Sequence, residues 1–183
     1  ELWKAIWSSI NDRNFFELDH ALRRHNQFLD AFLPNTFVGN HDVTRIASRV
    51  GADGAILALA ILMTVGGIPS IYYGDEQGYV GVKEERLGGD DDIRPVFPSS
   101  PSQFSPLGAH LLRAHQDLIG LRRRHSWLVR ARTEPLHLEN ERLIYRSFAP
   151  DGSTHLDVEI DLAGSPAAII RDDSGEELWS HHS

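Results

Sequence analysis

Residues 37–42 read Phe-Val-Gly-Asn-His-Asp, and residues 67–76 read Gly-Ile-Pro-Ser-Ile-Tyr-Tyr-Gly-Asp-Glu. Each block is a brief apolar run that breaks off in polar side chains, without the alternation of a strand that has one wet face. Such runs fit short strands buried on both faces of a parallel sheet. Between them, residues 52–65 are apolar nearly all round and stop at Gly66-Gly67, the pattern of a buried helix closed by glycine. The order strand, helix, strand, with connections too long for hairpins, predicts βα units around a parallel sheet.

Upstream, Leu2, Trp3, Ile6, Trp7 and Ile10 form the stripe of an amphipathic helix, broken by Asn11, Asp12 and Asn14. Asn14 and Glu17 have the spacing of a capping box. Leu18, Leu22, Phe28, Leu29 and Phe32 then mark a second helix that ends at Pro34-Asn35. Downstream, residues 75–105 are rich in Gly, Asp, Pro and Ser and show no period; irregular segments of such length are commonly functional. Residues 106–124 return to helix, with Leu107, Leu111, Leu112, His115, Leu118, Ile119 and Arg122 on one face. Beyond Trp127 the period becomes two: a hairpin over residues 136–148, then strands at residues 155–162 and 167–170. The expected division is therefore an α/β part, residues 1–130, and a β tail, residues 131–183, with His181-His182 as a frayed end.

The composition narrows the function classes. A net charge of −8 argues against nucleic acid or an anionic membrane as the main partner. With no cysteine there can be no disulfide, thiolate metal site or cysteine nucleophile. The apolar run at residues 55–65 is far shorter than the roughly 20 residues that span a bilayer. The first residue is Glu1 and no leader-like segment follows it, so the natural start is expected upstream. A cytoplasmic location is the expectation.

Candidate chemistry sits at the strand ends. Asn40, His41 and Asp42 stand where α/β barrels carry catalytic groups, and they equally suit the capping of the next helix. Tyr72 and Tyr73 suit stacking on a sugar ring as well as plain core packing. Glu84, Glu85 and Asp90 to Asp92 read as a solvated acidic loop or, more sharply, a weak calcium site. His110 and His115 are five apart, which misses the four-residue spacing of helical metal ligands. Arg122 to Arg124 read as the positive end of a helix complementing its dipole.

Taken together, in this order and with one helix between them, the two blocks resemble strands seven and eight of the barrel of glycoside hydrolase family 13, the α-amylase family. That family shows F-x-x-N-H-D and G-I-P-x-x-Y-Y-G-x-E blocks there. Residues 2–29 resemble the helical region after its sixth strand, and Asp92-Ile93-Arg94-Pro95 resembles the arginine-proline turn after strand eight. The likeness covers roughly residues 1–130; the tail matches the family's C-terminal domain in position only. It implies an α/β fold, the C-terminal portion of a TIM (β/α)8 barrel from about strand 7 to helix 8, followed by a small antiparallel β-sandwich.

The resemblance assigns Asp42 as the carboxylate that stabilises an oxocarbenium-like transition state, with His41 and Arg94 binding substrate and Asn40 positioning the pair. Retaining cleavage also needs a nucleophile and an acid/base about 5–5.5 Å apart. The family carries these on strands four and five, and no G-F-R-x-D block occurs here. The expectation is a fragment of a retaining α-glycosidase or transglycosidase, inactive alone, whose partners are an oligo- or polysaccharide and the missing N-terminal half of the barrel. The alternative is a non-catalytic amylase-like scaffold or carbohydrate-binding protein, for which Tyr145, Phe148 and Trp179 are the tail's aromatic candidates. No cofactor is expected of the chain itself; calcium stays open for a full-length parent.

Overall fold

Helix α1 (Leu2–Asn11) buries Ala5, Ile6 and Ile10 against α2 (Phe16–Ala31), whose Leu18, Ala21, Leu22 and Leu29 face inward. These are the first elements of a computed structural model that describes all 183 residues. The capping box does not form. Phe15 is buried and gives its N–H to the carbonyl of Asn140, which delays the helix start by one residue. Asn14 Oδ1 then accepts the Phe16 N–H at 3.1 Å, while Glu17 accepts the Ser8 hydroxyl at 2.8 Å and ties α2 to α1.

Strand β1 (Asn35–Thr36) pairs in parallel with β2 (Ile68–Pro69). The longer strands expected at 36–38 and 68–73 shrink to two residues each, because each strand has the other as its sole neighbour and the ladder ends after two rungs. Burial on both faces fails for the same reason: Ile68, Ile71 and Tyr73 are exposed. Between the strands runs α3 (Ile46–Thr64), broken at Gly51, whose φ of 73° only glycine adopts without strain. The apolar helix read from the sequence is the longer part beyond that break. Only the whole of α3, 19 residues across the break, is long and apolar enough to cross a membrane by length and composition, and residues 54–64 are all buried inside the protein, as suits a core helix.

Residues 75–108 carry three isolated 3-10 turns and lead into α4 (Ala109–Arg124). A further 3-10 turn, Ser126–Arg130, precedes a meander of five antiparallel strands: β3 (Arg132–Leu138), β4 (Arg142–Phe148), β5 (His155–Asp161), β6 (Ala167–Asp172) and β7 (Glu177–His182). The two histidines read as a frayed end belong to β7, which pairs with β6, and His181 Nε2 lies 3.0 Å from Asp53 Oδ1 on α3.

On the inner face of the meander Leu143, Tyr145, Leu156, Val158, Ile160, Ala168 and Ile170 are buried; on the outer face Arg142 pairs with Glu159 and Arg146 with Asp157. One core of 33 buried residues joins that inner face to α1, α2, α3 and α4, so the layer opposite the sheet is helical rather than a second sheet. Polar bonds cross the same seam, with Thr64 Oγ1 2.5 Å from the Tyr145 hydroxyl and the Ser147 hydroxyl donating to the Thr64 carbonyl at 2.6 Å.

Arg122 corrects the reading of its basic run. It is buried, and it donates to the carbonyls of Met63, Val65 and Gly67 at 2.7–2.9 Å. It therefore closes the C-terminal end of α3 rather than complementing its own helix. Burial pushes its pKa down to about 10.

Candidate active site

Past β1 the chain bends at the buried Val38 and runs on through the buried Gly39. At Asn40 it turns, because the side-chain oxygen of Asn40 accepts the Asp42 N–H at 2.8 Å. The turn projects the next two side chains outward: His41 is 66% exposed and Asp42 59%. The Asp42 carboxylate is held from two sides, with His41 Nε2 3.3 Å from one oxygen and Arg94 Nη2 2.9 Å from the other.

Arg94 comes from the long irregular segment. Besides Asp42 it binds Asp90 at 2.7 Å, and its Nε donates to the His41 carbonyl at 2.9 Å. All four candidate residues thus form one cluster. With His41 neutral, one guanidinium faces two carboxylates, leaving a net negative, water-facing group. Ion pairs this exposed add little to stability, so their effect is to aim the carboxylate. A carboxylate so aimed can accept hydroxyl protons and favour a cationic centre.

What holds Arg94 in place is the tyrosine pair. The Tyr72 hydroxyl donates to the Ile93 carbonyl at 3.2 Å, and the Tyr73 hydroxyl to the Pro95 carbonyl at 2.8 Å. Both hydroxyls are thereby engaged by the protein on either side of Arg94. Ile93 itself is fully buried.

Beneath the tyrosines lies a residue that the sequence reading missed. Arg45 is 2% exposed, and its Nη1 donates to the Tyr73 carbonyl at 2.6 Å and to Asp75 Oδ1 at 3.0 Å. Its guanidinium carbon sits 4.3 Å from the centre of the Tyr72 ring and 5.0 Å from that of Tyr73. Asp75 is buried too. Desolvation pushes its carboxyl up to about 6, against the opposing pull of Arg45. The available signal was an arginine three residues beyond Asp42 and the aspartate near the end of the second block, but a sequence does not show that the two charges are buried together.

The remaining candidates do not converge here. Glu76, the last residue of the second block, accepts the Gly74 N–H, a structural bond, and His115 is buried with Nδ1 2.8 Å from the Leu111 carbonyl. Among the acidic loop residues, Asp90 pairs with Arg94 and Glu84 with Arg86, and no three carboxylates come together. The larger concavities lie elsewhere. One of about 330 Å³ is lined by Trp3, His25, Phe28 and Phe37 beside β1, and one of about 460 Å³ by Met63, Pro69, Ile71 and Arg122 beside β2. The Asp42 cluster stands on an open face.

Comparison with known proteins gives this geometry a context. Residues 4–109 match the model of the alpha amylase catalytic domain. The 4-alpha-glucanotransferase of Thermotoga neapolitana is 30% identical in an alignment that covers 78% of this chain and 37% of that protein. Neopullulanase 2 of Thermoactinomyces vulgaris is 28% identical over 76% of this chain and 23% of its own length. Among solved structures, the alpha-amylase from H. orenii superposes with a TM-score of 0.73 at 19% identity, over 92% of this chain and 41% of that one. AmyP in complex with maltose gives 0.75 at 17%, over 93% and 40%. The chain thus spans well under half the length of these proteins. Its fold is that of the C-terminal portion of their TIM barrel followed by a β domain, with β1 and β2 as adjacent barrel strands.

Proposed function

Since the chain belongs to the α-amylase family, we propose that it is the part of a retaining α-glycosidase or transglycosidase that carries the transition-state-stabilising carboxylate, Asp42. The substrate class is an α-glucan or α-glucoside. The observation that carries this reading is the aiming of Asp42 at the end of β1, with one oxygen turned to His41 and the other to Arg94.

In retaining cleavage the sugar ring flattens and its anomeric carbon gains positive charge. Asp42 accepts hydrogen bonds from the ring's hydroxyls, and these bonds strengthen as charge develops, which favours the transition state over the ground state. His41 donates a further bond to the same sugar. Arg94 holds Asp42 in place, and Asn40 sets the turn that presents both side chains. The nucleophile and the acid/base come from residues outside these 183.

Its relatives here are glucanotransferases and hydrolases alike, so the acceptor, water or a second sugar, is a property of the complete active site. The test is direct: maltooligosaccharides or p-nitrophenyl α-glucoside added to the chain alone should show no turnover. Hydrolysis by the chain that Asp42→Asn abolishes would overturn the assignment of the other two carboxyl groups to residues beyond it.

A further inference from the structure

Two buried charges, Arg45 and Asp75, lie under the cluster without touching Asp42. We infer that Arg45 is the positioning residue of this site, holding Arg94, and through it Asp42, by way of the Tyr72–Tyr73 pair; this rests on the reading of Asp42 given above. The connection is continuous. Arg45 stacks on Tyr72 and hydrogen-bonds the Tyr73 carbonyl; both tyrosine hydroxyls then grip the backbone on either side of Arg94; Arg94 binds Asp42 and the His41 carbonyl. The backbone N–H of Arg45 also donates to the Gly81 carbonyl at 3.0 Å, a second tie to the segment that any residue at position 45 could make.

The chemistry requires arginine. Its planar face stacks on a ring while its edge donates to two acceptors, and a lysine ammonium can keep the charge but not the plane. Asp75 neutralises the guanidinium inside the protein. A structural ion pair alone would have no need to stack on the tyrosines that hold the Arg94 loop.

The experiment uses Arg45→Lys, which retains a charge for Asp75, and Tyr73→Phe, which removes only the bond to Pro95. In the 183-residue chain, ¹⁵N NMR reads the Arg94 Nε–H, bonded to the His41 carbonyl; it should be resolved in the wild type and collapse into the free arginine signal in Arg45→Lys. In the full-length protein the same change should lower kcat by up to about 10²-fold with KM little altered, the mark of a misplaced transition-state contact. Tyr73→Phe should shift both readouts the same way, but less. A folded Arg45→Lys chain whose Arg94 signal and kcat are unchanged overturns the inference, and so does a drop in melting temperature with both readouts intact. If Arg45→Lys unfolds the chain, Tyr73→Phe alone decides on the same readouts. Should Asp42→Asn leave kcat unchanged, the functional reading of the site fails, whatever the NMR shows of Arg94.

Discussion

Arg94 Nη2 lies 2.9 Å from Asp42 Oδ1, joining residues 52 positions apart in the chain. The same guanidinium binds Asp90 and the carbonyl of His41, so it orders the turn as well as the carboxylate. Its own side chain is 42% exposed, which limits what the pairing adds to folding.

Arg94→Met should therefore separate activity from stability. The expected result in the full-length protein is a fall in kcat of about 10-fold or more, with unfolding free energy changed by less than about 1 kcal/mol. Steady-state kinetics beside a urea titration checks both halves.

Asp75 predicts a pH signature. Its carboxyl is raised to about 6 in the folded chain against 3.8 for the free group, so between those values the native state holds a proton that the unfolded state has released. Stability from this group is then greatest at low pH and declines as pH rises through that window, by roughly 3 kcal/mol at most. Melting temperatures of wild type and Asp75→Asn, compared from pH 4 to 7, should show the wild type losing ground as pH rises. A difference independent of pH would count against the buried pair.

Arg122 makes a contrasting case, since its bonds end a helix and touch no candidate site. Arg122→Met leaves three buried carbonyls without their donor and should cost about 3 kcal/mol in urea unfolding with the m-value unchanged. Arg122→Lys should recover little, because an ammonium lacks the fork that spans those acceptors.

How legible was this in the sequence? The helix between the two apolar blocks was plain, because burial all round leaves an uninterrupted apolar run and glycines mark its end, whereas the blocks themselves form strands of only two residues each. The meander was legible from period two as far as β6. Strand β7 was missed: its Glu-Leu-Trp-Ser-His-His sequence has no clean alternation, and its place comes from pairing with β6. The cluster around Asp42 was named through the resemblance, since the turn that brings Arg94 to Asp42 lies within an aperiodic loop. Arg45 was out of reach for a physical reason, and Arg122 was placed on its helix's face without its partners being visible. A sequence reports charge but not burial, and the partners of these residues are backbone carbonyls, rings and a carboxylate far along the chain.

The central claim is that Asp42 stabilises charge in the transition state while the bond-breaking groups lie elsewhere. Its most direct test is kcat for maltooligosaccharides in the full-length protein and in Asp42→Asn, a change that preserves size and removes the charge. A loss of about 10²–10³-fold in kcat, with the fold intact by circular dichroism, is the predicted result. An Asp42→Asn enzyme that turns over at the wild-type rate would contradict it.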